Sequence, residues 1–320
     1  MSALTLAPLI AERLALLDGV ESTAPGQPSQ AEYEKILAFF APLPGYAPPS
    51  VRVSDREAPG PHGPVGVRVY EPMGGTRPSQ GVVWMHGGAF VGGGLDMPEA
   101  DVLAREIVAR TGVVVVSVDY RLCRDGIHFP VPHDDVHAAF VWASTASGLT
   151  YAGAPWSIGG ASAGANLAAG VAQRLRDEGR SASSQILAYP VLHATLPPSS
   201  SELDDVLAAL PPFLRIDAES GAVLQANFLG DQPASTPYAF PGDGPVAGLP
   251  RTLLILCECD GLVASGEVYA ADLRAARVEV QVELVRGMVH GHLNMPGLPE
   301  ALGSIARIAA LLGGTSTERT

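Results

Sequence analysis

The chain is 320 residues long, 47% hydrophobic and 17% charged, enough apolar length for one large core or two modest ones and too little charge for disorder as the main state. Its 20 Lys and Arg stand against 33 Asp and Glu, a formal charge of −13, so phosphate backbones and anionic lipid are repelled on balance and nucleic acid and membranes are poor partners. The most apolar runs, 112–118 and 253–257, fall well short of the roughly 20 residues that a bilayer crossing needs, so no membrane insertion is expected.

At the start of the chain there is no basic stretch, and Glu12 and Asp18 fall where a signal peptide would be apolar, which predicts a cytoplasmic protein. Apolar spacing over 4–17 predicts a helix, and Ser29 with Glu32 fits a capping box that opens a second helix through Phe40. Leu14, Leu17, Phe39 and Phe40 are expected to pack rather than to line a pocket. After a Pro-rich linker the texture changes to short β-branched runs at 65–70, 81–86, 113–119, 157–161, 185–189, 252–257 and 278–285. Several are continuously apolar, as strands covered on both faces are. Between them lie helical patterns at 99–110, 134–143, 163–178, 265–276 and 299–312. This alternation predicts an α/β fold, a mostly parallel sheet flanked by helices. Residues 195–248 break the rhythm with many prolines and helix-like patches at 201–210 and 217–229, and predict an inserted helical element. The tail, 313–320, is expected to be disordered.

The run Ser157-Ile-Gly-Gly-Ala-Ser-Ala-Gly-Ala-Asn-Leu-Ala168 places Gly-x-Ser-x-Gly, at Gly160, Ser162 and Gly164, between a strand and a helix. Small residues on both sides let strand and helix approach closely, and the helix N-terminus faces the place where negative charge would develop, as a nucleophile elbow requires. Upstream, the strand ending at His86 runs into Gly87-Gly88-Ala89-Phe90 and then Gly92-Gly93-Gly94, a loop able to turn backbone N–H groups toward an oxyanion. A base and its orienting acid should follow, each at the end of a later strand. Asp260 ends the run 253–260, and His290 follows the run 278–285. Ser162, Asp260 and His290 are thus the expected nucleophile, orienting acid and general base. Glu258 and His292 are the local rivals, the first set back within its strand and the second farther from its strand end. His133 and His137 are read as surface or helix-packing residues. Cys257 and Cys259 are read as a buried, reduced pair, because no further Cys or His at suitable spacing completes a metal site.

Taken together, Trp84-Met-His-Gly-Gly-Ala-Phe90, Val115-Val-Ser-Val-Asp-Tyr-Arg-Leu122, Phe129-Pro-Val-Pro-His-Asp-Asp135, the elbow, Asp260-Gly-Leu and His290-Gly resemble the hormone-sensitive-lipase-like group of α/β-hydrolases. The resemblance implies a serine carboxylic-ester hydrolase that uses no cofactor or metal and acts on small or short-acyl esters. It implies an oxyanion hole from the amides of Gly88, Ala89 and Ala163, joined by Gly87. It also implies a hydrolase core over 51–194 and 236–312, capped by the N-terminal helices of 1–50 and the insertion 195–235. Phe213 and Phe228 of that insertion, with Phe90 beside the glycine-rich loop, are expected to line the substrate pocket. The family often pairs subunits through its last helix and strand, so a homodimer is an expectation of the resemblance alone. Two residues depart from the family pattern: Ala161 stands where Asp or Thr is usual, and Ala89 where a third glycine is usual. Neither removes a backbone donor. A lactonase, amidase or acyltransferase could use the same three side chains. A non-catalytic small-molecule receptor of this fold would be expected to lack the histidine that is present here as His290.

Overall fold

The computed structural model describes residues 4–23, 28–74 and 77–313. Its strands are β1 (Arg52–Ala58), β2 (Val65–Glu71), β3 (Gly81–Met85), β4 (Val114–Asp119), β5 (Trp156–Ala161), β6 (Gln185–Ala188), β7 (Thr252–Cys257) and β8 (Val280–Val285). They form one sheet in the order β1-β2-β4-β3-β5-β6-β7-β8. The pairs β1/β2 and β2/β4 are antiparallel and every other pair is parallel. Strand β1 has no counterpart among the predicted elements. It lies at the sheet edge, and its Val-Ser-Asp-Arg-Glu stretch carries no apolar run to announce it.

Strand periodicity splits the core into two halves, one per sheet face. Val114, Val116 and Val118 of β4, Val83 and Met85 of β3, and Leu254 and Leu256 of β7 enter one cluster with α4 (Val131–Thr145), α5 (Ala163–Asp177) and α8 (Val263–Ala275). Val115, Val82, Trp84, Leu253 and Ile255 enter the other with α3 (Asp101–Thr111) and α9 (Pro299–Gly313). The short helix α1 (Pro8–Arg13) and α2 (Gln30–Phe39) join that second cluster through Ile10, Ile36 and Phe39. The predicted capping box of α2 is present: the Ser29 hydroxyl accepts from the Glu32 amide, and the Glu32 carboxylate accepts from the Ser29 amide. The region after β6 holds α6 (Ser201–Ala209) and α7 (Ala218–Leu229) and no strand before β7, as its prolines and helical patches predict. Of the predicted tail, Gly313 closes α9, and 314–320 lie outside the described residues.

One contact fixes the centre of the molecule. At Gly164, in the first turn of α5, an added Cβ would stand 2.3 Å from the His86 carbonyl oxygen and 2.5 Å from that of Met85. At Gly160, near the end of β5, it would stand 2.4 Å from the Gly164 backbone. Helix α5 therefore packs backbone to backbone on β3 and β5, which only glycine permits. Gly164→Ala should lower stability by about 1–3 kcal/mol through overpacking, read as a lower urea midpoint. An unchanged midpoint would contradict this close approach.

Candidate active site

Ser162 joins β5 to α5 with φ 54° and ψ −118°, a conformation that costs an L-residue of order 1–3 kcal/mol. The Ser162 amide donates to the Ala188 carbonyl at 2.8 Å, and its own carbonyl accepts from Ala165 and Asn166, so strand and helix ladders hold the turn from both ends. Ser162 is 8% exposed and lines the cavity at the C-terminal edge of the sheet.

His290 follows β8 through the turn at 286–289. Its Nε2 lies 2.9 Å from Ser162 Oγ and its Nδ1 lies 2.7 Å from Asp260 Oδ2. Asp260 is 1% exposed, and its other oxygen accepts the Leu262 amide at 3.0 Å. Burial opposes protonation of His290, but the charge and hydrogen bond of Asp260, followed by the charge of Glu99, outweigh it and hold its pKa above the ordinary imidazole value. Both rivals are engaged elsewhere. Glu258 accepts the Gly287 amide at 2.8 Å and pairs with Arg286. His292 is buried with Nδ1 on Cys257 Sγ at 3.2 Å and Nε2 on Ser304 Oγ at 2.8 Å; burial, then the charge of His290, drives its pKa down to about 3.

Gly88, Ala89 and Phe90 all have positive φ, at 113°, 53° and 62°. This tight reversal places Gly88 and Ala89 on the cavity wall with Ser162. Among the described residues, the amides of Gly88, Ala89 and Ala163 have no protein acceptor, and the last is an unpaired first-turn donor of α5. Gly87 differs from the expectation. Its amide donates to Glu99 Oε1 at 2.7 Å and is unavailable to an oxyanion.

Glu99 is the residue that the sequence reading missed. It is 2% exposed, its Oε2 accepts from the Tyr189 hydroxyl at 2.6 Å, its amide donates to Asn294 Oδ1 at 3.2 Å, and its carbonyl accepts from Trp84 Nε1 at 2.8 Å. Burial raises its pKa against the lowering effect of its bonds to Tyr189 and Gly87. The Tyr189 ring in turn meets the His290 ring edge-on, centroids 4.9 Å apart. One carboxylate therefore ties the glycine-rich loop to the residue that packs on the imidazole.

The cavity above these groups has a volume of about 490 Å³. Phe40, Phe213, Leu214 and Leu224 give it an apolar wall. Phe213 lines this cavity, and so does Phe40, which the sequence reading expected to pack. Phe90 and Phe228 are corrections: both are fully buried and stack with centroids 3.8 Å apart and planes at 11°, inside the core. Positive φ at Ala89 and Phe90 turns that ring downward, away from the cavity. Cys123, Cys257 and Cys259 are free and buried. Among the described residues no group of three or more His, Cys, Asp or Glu could hold a metal ion, and no helix is long and apolar enough to cross a membrane.

A hydroxyl bonded to an imidazole that a buried carboxylate holds, beside unpaired amides, can add to a carbonyl carbon and stabilise the resulting oxyanion. Comparison with known proteins agrees with that chemistry. Residues 82–294 match a family model described as an alpha/beta hydrolase fold. Esterase LipI of Mycobacterium tuberculosis is 34% identical over 265 residues, covering 79% of this chain and 78% of that protein. The carboxylic ester hydrolase LipN of the same organism is 31% identical over 309 residues, covering 92% and 78%. The hyperthermophilic esterase from the archaeon Pyrobaculum calidifontis superposes with a TM-score of 0.81 at 31% identity, covering 97% of this chain and 99% of that one.

Replacing Glu99 removes a negative charge from the surroundings of the imidazole, which disfavours imidazolium. The NMR titration of the His290 ring should therefore move to lower pH in Glu99→Gln. A midpoint that stays in place or moves up would contradict the coupling.

Proposed function

This chain belongs to the hormone-sensitive-lipase-like group of the α/β-hydrolase family, and from that premise we propose that it is a carboxylesterase acting on small or short-acyl esters through an acyl-enzyme on Ser162. The observation that carries the reading is the chain of contacts Ser162 Oγ to His290 Nε2 at 2.9 Å and His290 Nδ1 to Asp260 Oδ2 at 2.7 Å.

In the proposed cycle His290 Nε2 takes the hydroxyl proton as Ser162 Oγ attacks the ester carbonyl carbon. The oxyanion accepts from the amides of Gly88, Ala89 and Ala163, which are fixed before reaction and cost no reorganisation during it. Asp260 accepts a hydrogen bond from Nδ1–H, which keeps the tautomer with Nε2 free and stabilises the imidazolium. The imidazolium then protonates the departing alcohol oxygen. Water enters, His290 removes its proton as it attacks the acyl carbon, and collapse returns the proton to Ser162 with release of the acid.

A cavity of about 490 Å³ with aromatic and leucine walls supports small acyl and alcohol groups. The proposed cap comprises 1–50 and 195–235. Its support is that Tyr33 and Phe40 near one end of the chain and Phe213, Ser220 and Leu224 in the insertion face the same cavity as Ser162.

Ser162→Ala should lower kcat for aryl esters by roughly 10⁶-fold. Retained turnover would refute the nucleophile. Across aryl esters of increasing acyl length, kcat/KM should peak at short acyl groups and exceed that for the matching lactone and amide; a faster amide or lactone would refute the ester reading. Because neutral His290 is the base and its pKa is raised, kcat/KM should climb with pH through a midpoint above the ~6.5 of a free imidazole. An acid limb at or below that value would contradict the assignment.

A further inference from the structure

Among the described residues, one basic side chain besides His290 lines the cavity, that of Arg124. In a chain of formal charge −13, a cation on the wall of the reaction cavity runs against the average. Among the described residues its guanidinium has no hydrogen-bond or ion-pair partner. Glu99, the one carboxylate on the wall among the described residues, is committed to Gly87 and Tyr189, and the neighbouring Asp125 is exposed and makes no ion pair with Arg124.

Its backbone is fixed on two sides. The Cys123 amide donates to the Phe90 carbonyl at 2.8 Å, at the end of the glycine-rich loop, and the Cys123 carbonyl accepts from Asn227 Nδ2 of α7 at 3.2 Å. The Ile127 amide donates to the Arg124 carbonyl at 2.9 Å, closing the turn that Asp125 and Gly126 complete with positive φ. The guanidinium reaches over Gly92, where an atom in the Cβ position would lie 3.9 Å from Nη2. It thus lies beside the loop that carries the Gly88 and Ala89 amides, exposed to solvent and with no protein acceptor on its planar fork of donors among the described residues. That fork matches a carboxylate.

We propose that Arg124 is an anion-recognition residue and that the substrates are esters bearing a second, ionised carboxylate, such as hemi-esters of dicarboxylic acids. This rests on the proposed ester hydrolysis and adds its substrate class. The carboxylate could belong to the acyl or the alcohol arm. Monoethyl adipate against ethyl hexanoate probes the first, and acetylated γ-hydroxybutyrate against butyl acetate probes the second.

The readout is the ratio of kcat/KM for the anionic ester to that for its neutral match, followed by titrating the released acid. In wild type the ratio should exceed one in at least one arm and should fall with added salt, since the site is open to solvent. Arg124→Gln should lower that ratio about tenfold, and Arg124→Lys less, because it keeps the charge and loses the fork. A ratio at or below one in both arms, or one that Arg124→Gln leaves in place, would overturn the assignment. Calorimetric binding of monoethyl adipate against ethyl hexanoate to Ser162→Ala, with and without Arg124→Gln, reads the same contact without turnover. Failure of the ester reading would therefore leave this test intact: tighter monoethyl adipate binding that depends on Arg124 supports the assignment, and equal binding overturns it.

Discussion

The backbone of Ser162 is held where an L-residue does not rest by choice, and everything else in the site is arranged around that turn. A strained residue persists only when its surroundings over-determine it. Here β5 is an interior strand with neighbours on both sides, and α5 is buried along most of its length. Gly160 and Gly164 bring the two together at distances that no side chain would tolerate. The turn also joins the proposed nucleophile directly to Ala163, whose amide has no protein acceptor among the described residues, so relaxing it would disturb both together.

Two carboxylates flank one imidazole, and they do different work. Asp260 bonds His290 directly and fixes its orientation. Glu99 acts through distance and through neighbours: it raises the imidazole pKa by charge, braces Tyr189 against the ring, and occupies the Gly87 amide. Locking Gly87 fixes the start of the loop whose next two amides remain unpaired. A buried charge is costly unless hydrogen-bonded, and Glu99 meets that cost with acceptor bonds to two groups that the site itself needs in place.

Much of this was readable in the residues. The elbow announces itself because strand, small residues and helix are contiguous, and Asp260 and His290 each close a recognisable strand. Their convergence follows from a parallel sheet, which carries all its strand ends to one edge. Glu99 was hidden because an acid at the start of a helical pattern reads as a complement to the helix dipole. The helix instead begins at Asp101, and Glu99 turns inward to Tyr189, 90 residues away. Phe90 differs from the sequence reading because its positive φ is invisible in the residues, and Phe228 because the ring of this α7 residue stacks on Phe90 in the core. Strand β1 left no apolar signature because an edge strand with one neighbour can be polar.

The central claim is that Ser162 Oγ forms the covalent intermediate. Treating the protein with a fluorophosphonate and mapping the adduct by peptide mass spectrometry tests it most directly. One phosphonyl group on the peptide carrying Ser162, absent from Ser162→Ala, is the predicted result. An adduct on another residue, or ester turnover by protein that takes up no label, would contradict it.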